Sequence, residues 1–311
     1  MPEARDLHVD AILSNLSIKY RNSDMIWPEV LPVIKVNKRS DKFTKYNKED
    51  SFREVNDAIG PKSDANEVDW GVSTDNYSVK DHALADYVPI EEIENADTPI
   101  SPEVDTNDFL NMVLDVNQEK RVAAVVFAAA TYPTGNKVQL SGTGQWGGSA
   151  DAPINDILTA IETCFMRANT LVFGVDAWLK FRQLPEILDA VKAVAGASLK
   201  GGMASASEVA QLFEVERVIV GRSRYITSKE GQPTTYARLW GKHCAALHVL
   251  QSPGIKSVTF GATFSEQLRM TQRAFDAKKG VKGAHYIKTG WNSDEKIIAS
   301  DLGYFIQDAV A

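Results

Sequence analysis

"SPEVDTNDFLNMVLDVNQEKRVAAVVFAAA", residues 101–130, is the stretch on which the fold turns. Ser101 is a candidate N-cap, Pro102 suits the first helical position, and Glu103 and Asp105 suit the positive helix end. Phe109, Val113, Val116, Ala123, Phe127 and Ala130 recur at helical spacing, with Lys120 as the one interruption. The pattern predicts one long amphipathic helix over 102–130 with those apolar residues buried. At ~1.5 Å per residue it is roughly 42 Å long, well above the average helix, and suits a spine across a flat domain.

C-terminal to this helix, "KVQLSGTGQWGG" (137–148) spells G-x-G-x-x-G with Gly142, Gly144 and Gly147. A dinucleotide cradle needs its helix to begin inside the glycine run, at the head of a βαβ unit. Here Pro153 places the next helix start near 152, about ten residues too late, and a long helix precedes the motif. The reading is a glycine-rich turn anchored by Trp146. Helices and strands then alternate. "DAPINDILTAIETCFMRA" is a helix with Ile154, Ile157, Leu158, Ile161 and Phe165 as its buried stripe, and Asp151 as cap. "TLVFG" and "RVIVG" are short buried strands. Ser205 and Glu208 form a capping box. "TTYARLWGKHCAALHVL" reads as a strand, and the last fifty residues are strand-like.

N-terminal to the helix, the character is different. "HVDAILSNLSIKY" reads as a short helix. "IWPEVLPVIKV" reads as extended chain, because Pro28 and Pro32 block a helix interior. Residues 35–88 are polar and turn-rich, and predict a long two-stranded excursion. An isolated two-stranded ribbon is marginal in water, so it must lie on its own body or on a neighbour.

The bulk numbers fit a folded protein of about two domains or lobes: 311 residues, 44% hydrophobic, 24% charged. A net charge of −7 lacks the broad basic footprint of a tight nucleic-acid binder. Two cysteines, Cys164 and Cys244, are too few for a disulfide scaffold. The first sixteen residues have no signal-peptide pattern, and no apolar run approaches the ~20 residues of a membrane span.

No chemistry-bearing constellation emerges. In "HCAALH", His243 and His248 fall on opposite faces of a strand, and Cys244 with His248 is too few ligands for zinc. G-x-S-x-G is absent. The expectation is no catalytic residue, no cofactor and no metal. Charge is the livelier feature. Lys35, Lys38, Arg39, Lys42, Lys45 and Lys48 crowd residues 35–48 against Asp41 alone. "EEIENADTPISPEVDTND" (91–108), with Glu91, Glu92 and Glu94, holds only acids. The basic ribbon and acidic strip suggest reciprocal contacts between copies of the chain, with Phe43, Tyr46 and Trp70 buried more by neighbours than by their own subunit. Read from the residues, the chain is a self-assembling structural protein, with an enzyme as the alternative.

The succession "IWPEVLPVIKV…KFTKYNKED", "EVDWGVSTDNYSVKDHALADYVP", "VQLSGTGQW", "NTLVFGVDAW…LPEIL" and "KIIASDLGYFIQDAV" resembles the major capsid proteins of tailed bacteriophages, in order, from about residue 12 to the C-terminus. The resemblance implies the α+β Hong Kong 97-type shell fold. It maps an N-terminal arm to 1–34, an extended loop to 35–88, a peripheral domain with the spine helix 102–130 to 89–150 plus 255–311, and an axial domain to 151–254. It implies hexamers and pentamers that close an icosahedral head around double-stranded DNA. Scaffolding, portal and decoration proteins are the implied partners, with non-specific DNA contact and no membrane. The virion is the implied location, after assembly in the host cytoplasm. No Lys–Asn pair is singled out for crosslinking, and no scaffolding segment is evident in the first residues, so scaffolding is expected to be either a separate protein or a leader that this sequence leaves out. An encapsulin-like compartment shell is the alternative within the fold, and a nucleotide-binding enzyme lies outside it.

Overall fold

The computed structural model describes residues 24–46, 48–62, 64–97, 100–195, 202–253, 257–267 and 269–311. The short helix expected within 8–20 lies outside them. In chain order the elements are α1 (Trp27–Val30), β1 (Val33–Lys35), β2 (Ser40–Tyr46), α2 (Lys48–Ser51), β3 (Val72–Ser78), β4 (Lys80–Pro89), α3 (Ile90–Glu94) and α4 (Pro102–Val126). There follow β5 (Lys137–Gln139), α5 (Pro153–Thr163), β6 (Thr170–Gly174), α6 (Val175–Phe181), α7 (Pro185–Ala195), α8 (Ala206–Leu212), β7 (Arg217–Gly221) and β8 (Arg224–Ile226). The chain closes with β9 (Tyr236–Arg238), β10 (Cys244–Leu247), β11 (Gly261–Ser265), β12 (Met270–Asp276), β13 (Ala284–Ile297) and β14 (Gly303–Gln307).

One lobe is built on β13. Its first half is flanked by β12 and β4, both antiparallel, and its second half pairs with β11, which carries β1 in parallel on its other edge. Helix α4 lies across this sheet. Leu110 meets Val88 and Ile287, and Arg121 and Gln118 hydrogen-bond Glu295 at 3.3 and 2.8 Å.

The other lobe is the mixed sheet β5-β14-β10-β6-β7. The two-residue strand period splits its side chains cleanly. Leu171, Phe173, Cys244, Ala246 and Ile306 face the core under α5–α8. Val172, Ala245, Leu247 and Phe305 face the core shared with Val122, Val126, Leu31, Trp240 and Phe260. Strands covered on both faces read as continuous apolar runs, which is what "TLVFG" shows. The C-terminal end of α4 thus packs on the second lobe while its N-terminal half packs on the first.

Several expectations need correction. Helix α4 ends at Val126, not 130, and buries Leu110, Leu114, Gln118, Glu119, Val122, Ala123 and Val126. Phe109 is 52% exposed. The true inward row includes two polar residues, which hydrophobic periodicity passes over. The ribbon is also shorter than 35–88: only β2 and β3 pair with each other, while β4 forms ten residue pairs with β13. Alternation marks β4 as a strand but does not name its partner. Strands β5 and β14 lie in the second lobe's sheet, so 137–139 and 303–307 sit with 170–247 rather than with β13. Residues 27–30 are helical because Pro28 falls in the first turn, where its missing N–H costs nothing. Leu158 and Phe165 are exposed, and Ala160 joins Ile157 and Ile161 in the core. The strand read over 234–250 is two, β9 and β10, with a turn between them at Gly241. The capping box is present as read: the Glu208 N–H donates to Ser205 Oγ, and the Ser205 N–H donates back to Glu208 at 2.7 Å.

Candidate intersubunit surface

The ribbon leaves the first lobe through an aromatic clamp. Tyr77 stacks on Phe264 with centroids 4.9 Å apart, and Phe43 lies 5.7 Å from the same ring. Lys45 faces Ser73 across β2 and β3, and its ammonium reaches the diagonal Asp75 at 2.9 Å. The other oxygen of Asp75 meets Lys296 of β13 at 3.0 Å. The bond from Lys45, helped by that from Lys296, holds the Asp75 carboxyl at about 2. The Ser78 N–H donates to Asp294 at 2.8 Å. Arg39 pairs with Asp81 and reaches Glu266 at 3.6 Å, and Lys38 pairs with Asp41 at 2.9 Å.

Beyond β2 the chain touches the second lobe. Lys48 Nζ lies 2.5 Å from Asp301 and 4.7 Å from the Phe165 ring centroid. Phe52 meets Phe165 edge-on at 5.0 Å. Past that contact apolar side chains face solvent: Phe52 is 74% exposed, Trp70 65%, Val68 59% and Ile59 56%. Such a density of exposed apolar groups on a thin excursion marks a contact surface.

The sequence-derived contact residues divide as follows. Phe43 is half-buried by its own chain, against Tyr77 and Phe264, before any neighbour is present. Trp70 lies on the exposed distal ribbon. Tyr46 is the last residue of β2, opposite Val72. Lys35 and Lys42 are exposed, on β1 and β2. In the acidic strip, Glu91 accepts from the Lys282 N–H at 3.2 Å and Glu94 pairs with the Lys282 ammonium. Glu103 holds Arg273 at 3.1 Å and His285. Glu92 is exposed. Much of the basic run and of the strip is therefore already balanced within one chain. Sequence reasoning missed a second charge feature. Residues 49–69 of the distal ribbon carry Glu49, Asp50, Glu54, Asp57, Asp64, Glu67 and Asp69 against only Arg53 and Lys62. The ribbon is basic at its root and acidic at its tip.

The glycine-rich turn also resolves. Gly142–Gly144 is a single 3-10 turn, with Gly142 at φ 56° and Gly147 at φ 89°. Trp146 is buried, 5.0 Å from the Phe181 ring, and its Nε1 donates to Asp156 at 2.9 Å. The Trp146 N–H donates to Ala309 O at 2.8 Å, and Gln145 Nε2 to Asp308 O at 3.0 Å. The Gly147 amide is taken by Asp151. The turn ties the C-terminal segment to the second lobe. In "HCAALH", His243 Nδ1 accepts from the Asp308 N–H at 2.9 Å, and His248 Nδ1 lies 3.0 Å from Arg167 O.

No protein-family model matches the chain. It is 32% identical over 304 residues, 97% of each chain, to the major capsid protein of Pseudomonas phage JBD67. The chain belongs to the phage major capsid proteins. The major capsid protein of Burkholderia phage BcepMu is 29% identical over 269 residues, 84% of this chain and 83% of its own. Among solved structures, a phage-related protein from Bordetella bronchiseptica RB50 superposes with a TM-score of 0.70, at 23% identity over 97% of each chain. The capsid of cyanophage P-SCSP1u gives 0.65 at 9% identity, over 97% of this chain and 93% of the other. The encapsulin of Synechococcus elongatus PCC 7942 shares the fold at 0.56 and 10% identity, over 96% and 95%. The capsid protein is thus a virion shell component with a Hong Kong 97-type fold, and the compartment-shell alternative is the weaker one.

Proposed function

We propose that the capsid protein assembles through hexamers and pentamers into a closed icosahedral head around double-stranded DNA, in the host cytoplasm, without catalysing a reaction. The observation that carries this is the distal ribbon: Phe52, Ile59, Val68 and Trp70 face solvent on an excursion with no core of its own. Repetition of one such contact by symmetry closes a shell. In this reading residues up to about 34 are the arm, the ribbon is the intersubunit element, the β13 lobe is peripheral and the β10 lobe axial. Lys35, Lys42 and Glu92, exposed on the free subunit, are the contact charges proposed to meet neighbours. Scaffolding, portal and decoration proteins are proposed partners. A subunit of net charge −7 offers packaged DNA only loose, sequence-indifferent backbone contact.

The test is deletion of residues 52–68, followed by electron microscopy and light scattering. The expected outcome is a folded subunit, by far-UV circular dichroism, that forms no shells. Normal particles from the deleted chain refute the role given to the ribbon.

A further inference from the structure

Strands β8 and β9 form a small hairpin, residues 222–238, that belongs to neither main sheet. One face is anchored: the half-buried Tyr225 ring lies 4.8 Å from the Lys120 ammonium of α4. The strand period puts Ile226 and Tyr236, which pair directly, on the other face, where they are 56% and 67% exposed. The charge around this apolar rung is of nearly one sign: Arg222, Arg224, Lys229 and Arg238 stand against Glu230 alone. Arg224 and Arg238 are directly opposite each other, an arrangement that like charges disfavour. Arg224 is already engaged. Arg238 donates to the Arg222 carbonyl at 3.0 Å, and among the described residues no carboxylate pairs with Arg222, Lys229 or Arg238.

The distal ribbon is the complement of this face. Glu54, Asp57, Asp64, Glu67 and Asp69 are exposed and pair with no base among the described residues. Val55, Ile59 and Val68 are exposed between them. Within one subunit the two surfaces are kept apart. The ribbon meets the second lobe at Phe165 and Asp301, near the end of the β6–β7 pair where Thr170 faces Arg217, whereas the hairpin springs from the other end, where Gly174 faces Gly221. Two different surfaces of one chain that fit each other make a head-to-tail contact between copies, and such contacts close into rings when the rotation allows. Resting on the intersubunit role given to the ribbon, we propose that the acidic tip of one subunit docks on the β8–β9 hairpin of the next. Ile59 and Val68 lie against Ile226 and Tyr236, and the acids face Arg222, Lys229 and Arg238. Opposite charge draws the tip to the hairpin and sets its orientation, and burial of the apolar rung holds it there. The crowding of arginines, unfavourable in the free subunit, is relieved in the ring.

The experiment mixes two full-length chains, one carrying Val68→Cys and the other Ile226→Cys, under mild oxidation at assembly concentration. Cys164 and Cys244 are buried and give a low background. Val68→Cys mixed with Val281→Cys, on a 97%-exposed turn, is the control. The expected result is a disulfide-linked heterodimer at least ~10-fold more abundant than in the control, because the bond forms only between cysteines held close. Charge reversal supplies the second readout. Arg222→Glu with Lys229→Glu on the Ile226→Cys chain, or Asp64→Lys with Glu67→Lys on the Val68→Cys chain, lowers the yield at low salt at least ~10-fold, and the two reversals together restore it. All four side chains are exposed, so the changes spare the core. A heterodimer no more abundant than in the control overturns the proposal. So does a loss under hairpin reversal that tip reversal fails to mend, which gives the hairpin to another anion such as packaged DNA. The deletion of 52–68 separates the two readings: if it abolishes shells, the ribbon keeps its place between subunits and only this seat for it falls, whereas normal shells reject both.

Discussion

Removing the Glu119 carboxylate tests whether one buried side chain joins three parts of the molecule. Glu119 sits on α4. It accepts from the arm at Ile26 and Trp27, and from the second lobe through Ser223 Oγ at 3.2 Å and Trp240 Nε1 at 2.5 Å. Glu119→Ala leaves four donors without an acceptor. A buried orphan costs about 1–3 kcal/mol, and two of the four gain water once the arm loosens, so a loss of about 4 kcal/mol is expected. Glu119→Gln keeps the shape and one acceptor oxygen but turns an amide N–H₂ toward donors, for a loss of about 2 kcal/mol. Burial raises the pKa of this carboxyl, against the hydrogen bonds that lower it. The folded state therefore binds the proton more readily than the unfolded chain. Its contribution becomes less unfavourable as pH falls through the raised folded value toward the ordinary value of 4.5, and is flat below that. Gln does not titrate, so the advantage of wild type over the Gln variant should grow as pH falls through that window. Urea denaturation of the free subunit, followed by tryptophan emission, reads the losses, and limited proteolysis reads the arm. If Glu119→Ala costs under about 1 kcal/mol, or if the arm stays as protected as in wild type, the junction is not what holds these parts together.

Phe264→Ala removes the ring shared by Tyr77 and Phe43 and should cost about 3 kcal/mol, with faster amide exchange over 72–79 as the specific readout. Asp75→Asn should leave the fold intact but free the ribbon root. Because the folded Asp75 pKa is depressed to about 2, its contribution is complete above 3.8 and is lost as pH falls from there toward 2. Solvent screening limits it to no more than about 1 kcal/mol, measured as the pH-dependent difference in denaturation midpoint from wild type. Gly148→Ala places a Cβ 2.2 Å from the Thr143 carbonyl oxygen, a backbone clash that should cost about 1–3 kcal/mol and slacken the Trp146 turn, visible as a red-shifted tryptophan emission.

Much of this molecule is legible in its sequence where local chemistry decides the outcome. Pro102 marks the start of the spine helix, Pro153 the start of α5, and Ser205 with Glu208 the start of α8, because such signals act within a few residues. The side chain of Ser101 makes no capping bond, and the N-cap of α5 is Ala152, not the expected Asp151, whose carboxylate is taken by the Gly147 amide. The fully apolar strands β6 and β10 announce their burial on both faces. What fails is what depends on distant partners. The buried row of α4 contains Gln118 and Glu119, whose acceptors and donors come from residues 26, 223, 240 and 295, so apolar periodicity phased the helix wrongly. Strand β4 reads as the ribbon's second half because alternation carries no information about pairing. The charges of the contact surface were visible, but Lys282, Arg273 and Lys296, which balance them, lie about 170 to 220 residues away.

The long strand β13 has a mechanical consequence. It is held along one side by ten consecutive residue pairs with β4, and β4 continues directly into the ribbon through Val79. A neighbour tugging on the ribbon pulls β4 lengthwise past β13. Hydrogen bonds loaded in that direction share the force and must yield together, whereas strands peeled apart crosswise let go one bond at a time. With the ribbon held by a neighbour, as proposed, the β13 lobe becomes a tension member, stiff along β13 and soft across it. A shell stitched from such members can swell or strain as a sheet while each stitch stays closed.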